Sequence, residues 1–385
     1  MSRRIMGIFL DHNATTPLDP RVLETMLPLL RGTHGNPASV HRFGREARAV
    51  LDRARAQVAA LVNAQPSQVI FTGGGTEADN LALRGVCRGM PRGRLLVSSI
   101  EHAAVQETAD ALAKDGWVVE RIPVDSECRL DLHALEKLLD GGARLVSVML
   151  ANNETGAIQD VRAAAGLAYA RDALLHTDAI QAAGKMPVDF TALGADLMTL
   201  SAHKLNGPRG VGALIRNRRV DLAPQITGGG QEQGLRGGTE DLAGIVGFGA
   251  AAELARLELD ARSSHVRALR ARLEAQLKQL PGVRIFAAQA ARLPNSVQFG
   301  IAGYAGEWLV MELDRRGFAV SSGSACHSAS GRPSHVLLAM GCNEAVARSA
   351  VRVSLGAENT TDDVDALLAA LATITARRHG AVALV

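Results

Sequence analysis

The sequence predicts an α/β protein whose larger part contains a mainly parallel sheet, followed by a smaller α+β part at the C-terminus. Apolar, β-branched runs alternate with helical segments as far as residue 200, which is typical of βαβ units with a sheet covered on both faces. From Asp241 the chain becomes helical and charged, and beyond it shorter strands alternate with helices. We therefore assign residues 14–258 to a large domain and residues 1–13 with 259–385 to a small one.

Composition excludes several classes of protein. With 385 residues and 47% apolar residues, the chain can bury a large core, so disorder is not expected. A net charge of +3 and 3% aromatic residues give little support for nucleic-acid binding. The first apolar run is interrupted by Asp11 and His12 before a signal segment or membrane span is complete, so we expect a cytoplasmic protein without a membrane segment.

The four cysteines lie far apart in the chain and show no metal-ligand spacing, which predicts neither a disulfide framework nor a metal site. They are Cys87, Cys128, Cys326 and Cys342. Because no disulfide framework is predicted, we expect the protein to be in a reducing compartment. We interpret Cys87 and Cys342 as small buried hydrophobic residues.

The first elements of the chain follow from local signals. A short strand at 8–10 leads into the turn-rich segment DHNATTPLDP, in which Pro20 can begin a helix. A second helix is predicted over 45–62, because its apolar residues lie on one helical face. These residues are Val50, Leu51, Ala54, Val58, Leu61 and Val62.

A glycine-rich turn follows in the segment VIFTGGGTEADN. A strand, three glycines and a helix that begins near Thr76 together form a site for an anion, because unpaired N–H groups and the positive end of the helix dipole face the turn. The alternative is an ordinary strand-to-helix turn capped by Thr76. Three consecutive glycines favour a phosphate site.

Polar residues follow several of the predicted strands. His102 comes after LLVSSI (95–100), Asn152 and Asn153 after RLVSVML (144–150), and Asp178 ends ALLHTD (173–178). Ligands of parallel α/β sheets bind at the carboxyl ends of the strands. We therefore expect these side chains to meet at one edge of the sheet.

The stretch DLMTLSAHKLNGPRGVG places Lys204 at the end of another such strand. A lysine after an apolar run is usually a solvated strand end. Here Ser201, His203 and Lys204 precede glycines that allow a ligand close to the backbone. A partly desolvated lysine can form a Schiff base, so we predict that Lys204 binds pyridoxal 5'-phosphate.

Motifs along nearly the whole chain resemble those of the cysteine desulfurases of the NifS/IscS type, which are fold type I enzymes dependent on pyridoxal phosphate. The matching segments are DHNATTPLDP, GNPASVHRFG, FTGGGTEADN, EHAAV, NNETGAIQD, HTDAIQAAGK, SAHKLNGPRGVGAL, RGGTED, SSGSACHSAS and VRVSLG. The resemblance implies a homodimeric enzyme that converts L-cysteine to L-alanine.

The resemblance also implies roles for individual residues. Lys204 would form the Schiff base, Asp178 would pair with the pyridinium nitrogen, and His102 would stack on the ring and move protons. The implied cofactor-binding residues are Gly75, Thr76, His102, Asn153, Asp178, Gln181, Ser201, His203, Lys204 and Thr239 of the partner subunit. The implied substrate-binding residues are Asn36, Asn153 and Arg352.

Structural alternatives exist for three of these residues. Arg352 lies between valines in a predicted strand and could form a structural ion pair. His102 could cap a helix, and Asn153 could form a turn. The family resemblance favours the functional interpretation of all three.

Cys326 lies in SSGSACHSASG, a segment with few apolar side chains. The resemblance implies that its thiolate accepts the substrate sulfur as a persulfide. It further implies delivery to an iron–sulfur scaffold or another acceptor protein, with transient contact between Cys326 and a cluster.

Two rival functions remain at this stage. One is another fold type I enzyme, such as an aminotransferase or a selenocysteine lyase. The other is a sulfur carrier without turnover, which would have lost the lysine, aspartate or cysteine. All three residues are present.

Overall fold

The computed structural model of the protein describes residues 7–32, 35–323 and 332–382. Within these ranges the strands are β1 (Ile8–Phe9), β2 (Val69–Thr72), β3 (Arg94–Ser98), β4 (Val118–Ile122), β5 (Leu145–Ser147), β6 (Leu174–Asp178), β7 (Leu197–Ser201), β8 (Gly212–Arg216), β9 (Val283–Ile285), β10 (Ser296–Ile301), β11 (Phe318–Ala319), β12 (Ser321–Ser322) and β13 (Ala350–Ser354). The helices there are α1 (Pro20–Arg31), α2 (Arg42–Leu61), α3 (Gly75–Gly89), α4 (Ala103–Lys114), α5 (Leu132–Asp140), α6 (Val161–Tyr169), α7 (Phe190–Leu193), α8 (Leu242–Leu257), α9 (Leu259–Leu277), α10 (Gly306–Asp314), α11 (His335–Ala339), α12 (Glu344–Arg348) and α13 (Thr361–Val382).

The larger sheet has the strand order β2-β8-β7-β6-β5-β3-β4 in the described chain. The strands from β7 to β4 pair in parallel, whereas β8 pairs antiparallel with both β7 and β2. The predicted mainly parallel α/β sheet is therefore confirmed. Because β3, β5, β6 and β7 run in the same direction, their carboxyl ends meet at one edge.

Helices cover both faces of this sheet. Consecutive residues of a strand point to opposite faces, and Leu197 and Met198 of β7 accordingly belong to different buried clusters. The cluster of Met198 includes Val58 of α2 and Phe248 of α8, whereas the cluster of Leu197 includes Leu83 of α3. Burial on both faces explains why these strands are apolar throughout.

Two strands end earlier than the sequence predicts. β3 ends at Ser98 rather than at residue 100, and β5 ends at Ser147 rather than at residue 150. The backbone N–H of Met149 donates to the Glu101 carboxylate at 2.6 Å. At this edge the Glu101 side chain thus takes the place of a backbone partner from β3, and regular pairing between β3 and β5 ends.

The predicted connector after Asp241 consists of two helices, α8 and α9, which meet at Glu258. The Asp241 side chain accepts a hydrogen bond from the N–H of Gly244 and so caps α8. Glu258 binds Arg21 of α1 and Arg262 of α9. The connector is therefore packed against the rest of the protein.

A second sheet in the described chain has the order β12-β13-β10-β9 and is antiparallel. β1 pairs in parallel with β11, which brings the N-terminal segment to this part of the molecule. Leu10 accordingly shares a buried cluster with Leu273, Phe299, Val353 and Leu367. This arrangement is compatible with the predicted domain division, whose boundaries stay a prediction. None of the described helices is long and apolar enough to cross a membrane.

Candidate active site

A cavity of about 340 Å³ opens at the carboxyl edge of the larger sheet. Ten of the residues predicted for the site line it: Gly75, Thr76, His102, Asn153, Asp178, Gln181, Ser201, His203, Lys204 and Arg352. Asn36 and Thr239 are exposed and do not line this cavity. Cys326 lies outside the described residues.

Lys204 is delivered by β7 and the single 3₁₀ turn Ala202–Lys204 that follows it. Its Nζ donates hydrogen bonds to the backbone carbonyls of Asn13 and Ala14, the latter at 2.7 Å. The N–H of Thr16 donates to the carbonyl of His203 at 3.0 Å. The N-terminal segment thus packs directly against the lysine.

Asp178 is the last residue of β6 and is only 4% exposed. Burial raises the pKa of its carboxyl group to about 6, although the N–H of Ile180 and the positive charge of Lys204 lower it. A buried carboxylate that lines a cavity is stabilised by a cationic partner. A protonated ring nitrogen of pyridoxal 5'-phosphate fits this requirement.

The glycine turn presents the N-terminus of α3 to the cavity. The N-cap is Gly74, with a φ of 147°, and no side chain caps the helix. The alternative in which Thr76 acts as the cap is therefore wrong, because α3 already begins at Gly75. Uncapped N–H groups in the first turn, beside Ser201, are suited to a phosphate.

His203 lines the same cavity. Burial lowers the pKa of its imidazole to about 4, and the charges of Lys204, Arg209 and Lys185 contribute further. Its Nδ1 lies 3.1 Å from the Thr15 hydroxyl. The cavity therefore combines a lysine, a buried carboxylate and a set of anion donors, which is the donor set that pyridoxal 5'-phosphate requires.

His102 has a structural as well as a candidate functional position. It is the N-cap of α4, and its Nδ1 accepts a hydrogen bond from the N–H of Ala104 at 3.1 Å. This hydrogen bond assigns the proton of the neutral ring to Nε2. The helix-capping interpretation is thus confirmed, and it coexists with the exposure of the ring to the cavity.

Arg352 is 1% exposed and lies in the centre of β13. It donates to the carbonyl of Asn153 at 3.0 Å and to Asp11 Oδ1 at 2.7 Å. The structural ion pair proposed as an alternative therefore exists. Among the described residues its Nε has no hydrogen-bond partner, and the guanidinium also lines the cavity, so it has donors for a carboxylate.

Sequence reasoning missed three residues near the site. Asn13, Asp79 and Lys185 received no role, although the first two line the cavity. Asp79 lies one helical turn after Gly75 and Thr76, so helical periodicity would have placed it on the same face. The positions of Asn13 and Lys185 depend on contacts between distant segments, which no local pattern indicates.

Asp79 is fully buried, and within the described residues neither carboxylate oxygen has a hydrogen-bond partner of good geometry. Burial and the neighbouring Asp178 raise its pKa well above the ordinary value, whereas the Thr199 hydroxyl lowers it. His176 lies 3.6 Å away, and burial lowers the pKa of its ring to about 3. Burial beneath the cavity therefore favours the neutral form of both groups.

The described cysteines are unsuited to nucleophilic chemistry at this cavity. Cys87 and Cys128 are buried, and burial raises the pKa of each thiol to about 12. Cys342 is half-buried, so the prediction that it is buried like Cys87 holds only in part. None of these three lines the cavity.

The glycine turn yields a prediction about Gly212 of β8. A Cβ at this position would lie 2.5 Å from the backbone carbon of Gly74 and 2.8 Å from the Leu200 oxygen. Gly212→Ala should therefore displace the phosphate turn, cost about 1–3 kcal/mol in the free energy of unfolding, and weaken cofactor binding. Thermal unfolding and cofactor titration would measure both effects.

Gly166→Ala in α6 is a matched control, because a Cβ there meets no atom within 4 Å. Alanine is also the better helix former. We expect unchanged or slightly increased stability and unchanged cofactor affinity. Equal cofactor affinity in the Gly212 and Gly166 variants would contradict the prediction.

Comparisons with known proteins agree with this geometry. Residues 8–367 match the Aminotransferase class-V family. A cysteine desulfurase of Cereibacter sphaeroides is 45% identical over 368 residues, which cover 94% of each chain. The cysteine desulfurase IscS of Dictyoglomus turgidum is 40% identical over 361 residues, which cover 93% of this chain and 92% of the relative.

Solved structures share the fold over nearly the whole chain. A NifS-like protein superposes with a TM-score of 0.91 at 38% identity and covers 96% of this chain and 100% of its own. A structure described as SspA in complex with cysteine has a TM-score of 0.81 at 31% identity, over 92% of this chain and 100% of its own. The chain therefore belongs to the class-V aminotransferase family and, within it, to the fold type I cysteine desulfurases that depend on pyridoxal phosphate.

Proposed function

We propose that the protein converts L-cysteine to L-alanine and transfers the sulfur to its own Cys326 as a persulfide. The observation that carries this proposal is the cavity in which Lys204, Asp178 and Arg352 meet. Pyridoxal 5'-phosphate, when bound, stabilises negative charge that develops at the α-carbon of an amino acid. The residues of the chain would bind the cofactor, orient the substrate and exchange protons with it.

Five groups of contacts would hold the cofactor. The N–H groups at the start of α3, with the side chains of Thr76, Ser201 and His203, would bind the phosphate. Asp178 would keep the ring nitrogen protonated, and the Gln181 amide would donate to the phenolic oxygen. His102 would lie against the ring, and Lys204 would form the Schiff base.

The substrate carboxylate would bind to Arg352, with Asn153 beside it. The guanidinium is fixed by Asp11 and by the Asn153 carbonyl, so it loses little conformational freedom when it binds a ligand. A planar fork is also the best donor for a carboxylate. This arrangement would direct the α-carbon of L-cysteine toward Lys204.

Arg352→Lys is expected to raise the KM for L-cysteine about 10- to 100-fold, with a smaller change in kcat. Lysine keeps the charge but loses the bidentate geometry, and a charge-assisted hydrogen bond contributes about 1.5–3 kcal/mol. Steady-state kinetics would measure the split between KM and kcat. Asp11→Asn is the control, because it removes the ion pair and leaves the guanidinium. An equal rise in KM in both variants would mean that Arg352 acts through the ion pair alone.

Two residues would move protons. The amine of Lys204 would take the proton from the α-carbon of the substrate, since its side chain lines the cavity beside Asn13 and Ala14. His102 would exchange a proton at the substrate through Nε2, because Nδ1 is occupied by the N–H of Ala104. The helix cap thus decides which ring nitrogen carries the proton.

Cys326 would act on the substrate sulfur. Its thiolate would attack that sulfur, the carbon–sulfur bond would break, and the electron pair would return to the β-carbon, which takes a proton to become the methyl group of alanine. The substrate thiol proton is released in the same step. The product is a persulfide on Cys326, which retains the transferred sulfur.

The chain on either side of Cys326 begins and ends beside the cavity. Ser321 of β12 is the ladder partner of Arg352. Ser334 donates a hydrogen bond to Glu154, the neighbour of Asn153. The described residues that flank Cys326 in the sequence are therefore linked to Arg352 and Glu154.

The test is to incubate purified holoenzyme with L-cysteine and to quantify alanine, sulfide and persulfide, with and without a reductant. Alanine should form in the amount of sulfur released, and without reductant the sulfur should remain as a persulfide at residue 326. An aminotransferase would instead consume the amino group and give no alanine from L-cysteine. Absence of both alanine and persulfide would contradict the proposal.

A homodimer is proposed for the working enzyme. Thr239 of the partner subunit would complete the phosphate site, and Asn36 would contact substrate in the assembled dimer. Both residues are exposed in the single chain, and Val40 and Phe43, close to Asn36 in the chain, are 89% and 52% exposed. A monomeric molar mass by light scattering would contradict this proposal.

The persulfide sulfur would pass to an acceptor protein in the cytoplasm, such as an iron–sulfur scaffold, with Cys326 in transient contact with a cluster. Nucleic acid is not a proposed partner. The relatives that share this fold are named for desulfurase activity, which supports a sulfur-delivery role. Transfer of labelled sulfur from the persulfide to a scaffold protein, followed by gel filtration, tests it directly.

A further inference from the structure

Two half-buried lysines bind the same asparagine. The chain has 42 basic residues, but only five of them are lysines: Lys114, Lys137, Lys185, Lys204 and Lys278. Lys204 donates to the backbone carbonyl of Asn13, and Lys185 donates to its side-chain Oδ1 at 3.2 Å. Arginine stays protonated in proteins, whereas a lysine amine can titrate. Lysine is therefore rare in this chain, and at position 185 it provides a basic group that can titrate, which arginine would not.

Lys185 also fixes an amide that lines the cavity. Its Nζ donates to Oε1 of Gln181 at 2.7 Å. In this hydrogen bond the oxygen of the Gln181 amide faces Lys185, and the amide nitrogen faces away. That nitrogen donates to the Asn13 carbonyl at 2.9 Å and has a second hydrogen. Gln181 can therefore offer only a donor toward a ligand.

The charge of Lys185 is unusual for its position. Within the described chain, both hydrogen-bond partners of its ammonium are uncharged amide oxygens. Burial lowers the pKa of Lys185 well below its ordinary value, and the charges of Lys204 and Arg352 lower it further. Buried charges are usually paired, and an exception beside a reactive group is a candidate for function.

We propose that Lys185 is a positioning residue whose ammonium holds Gln181 in its donor orientation and disfavours a second positive charge on the nitrogen of Lys204. This inference rests on the proposed function, because it concerns the imine that Lys204 forms with the cofactor. When Lys204 is in the imine, the ammonium of Lys185 remains beside Asn13. An unprotonated imine nitrogen can then accept the proton of the incoming substrate ammonium.

Other charged and titratable groups face Lys204 from each neighbouring element. Asp178 of β6 and Asp79 of α3 line the cavity, with His203 in the turn and Arg352 in β13. Ionised Asp178 opposes the effect of Lys185, whereas Arg352 adds to it. The pKa of Asp79 is raised and that of His203 is lowered, which favours the neutral form of each. His102 also lines this cavity, and His12 and Arg262 line a neighbouring cavity together with Lys185 and Lys204. The protonation of Lys204 thus depends on Asp178, Arg352 and Lys185, with Arg262 as a further positive charge.

The test is a pH titration of the visible absorption of the holoenzyme, which reports protonation of the imine nitrogen. Lys185→Met removes the charge and both donors, and Lys185→Gln removes the charge but keeps a donor. We expect the protonation midpoint to rise by about one to two pH units in both variants, a roughly 10- to 100-fold shift of the equilibrium. Lys114→Met, on the exposed end of α4, should titrate as the wild type does.

Variants that fold, bind cofactor and show the wild-type midpoint would overturn the inference. A second measurement needs no variant: a wild-type imine that remains protonated throughout the stable pH range would overturn it as well. Failure of the proposed function has a different signature, namely no alanine from L-cysteine in the wild type. If the wild type forms alanine but the Lys185 variants keep the wild-type midpoint, the proposed function stands and only the inference about Lys185 is rejected.

Discussion

Lys204→Ala is expected to reduce the formation of alanine from L-cysteine by about 10⁴-fold or more. The variant loses both the Schiff-base amine and the group that takes the α-proton, and loss of a general base alone costs up to about 10⁴-fold. The fold should survive, because β7 is buried on both faces without this side chain. Alanine assays and the visible absorption of the bound cofactor would measure the two losses separately.

Lys137→Ala is a suitable control, since this residue is exposed on α5. A small primary amine added to the Lys204 variant should restore part of the activity, because it can occupy the space of the lost side chain and accept the proton. Cofactor absorption in Lys204→Ala that matches the wild-type imine would show that another residue forms the Schiff base. Lys185 would then be the first candidate, since both lysines bind Asn13.

Cys326→Ser is expected to lower sulfur release at least about 10³-fold while cofactor binding stays unchanged. A hydroxyl group is a far weaker nucleophile than a thiolate and cannot hold a persulfide. The described cysteines cannot replace it, because burial raises the pKa of the Cys87 and Cys128 thiols to about 12. Persulfide detection by mass spectrometry, with the cofactor spectrum as reference, would test this.

Cys342→Ser is the matched control for that variant, because Cys342 is half-buried but does not line the cavity. It should release sulfur at the wild-type rate. The Cys326 variant also separates the rival functions, since an aminotransferase has no use for this thiol. Unchanged sulfur release by Cys326→Ser would reject the persulfide step, whereas amino-group transfer without any sulfur release in both variants would favour the aminotransferase.

The ends of the strands predicted which residues meet at the cavity. His102, Asn153 and Asp178 each follow an apolar run, and the run before Lys204 ends at Ser201. Parallel strands bring their carboxyl ends to one edge, so this local information was enough to collect them at one cavity. The strand-end pattern did not predict Arg352, because β13 belongs to the other sheet. The family resemblance indicated that Arg352 belongs to the site.

Other expectations required knowledge of the tertiary structure. Thr76 could not be excluded as a helix cap by its sequence, since Thr is a good N-cap residue. α3 begins one residue earlier because Gly74 adopts a φ of 147°, which a residue with a side chain would rarely adopt. Asn36 and Thr239 stay predictions, because the single chain leaves both exposed.

By itself, the sequence determined the mainly parallel α/β architecture, the position of Lys204 after a buried strand and the membership of a known family. These features depend on residue periodicity and on short motifs, which are local properties of the chain. Only the tertiary structure decided that Asn13 joins Lys204, Gln181 and Lys185, and that Asp79 is buried beside Asp178 and His176. The hydrogen bonds of Asn13 connect segments more than 160 residues apart, and no local pattern contains that information.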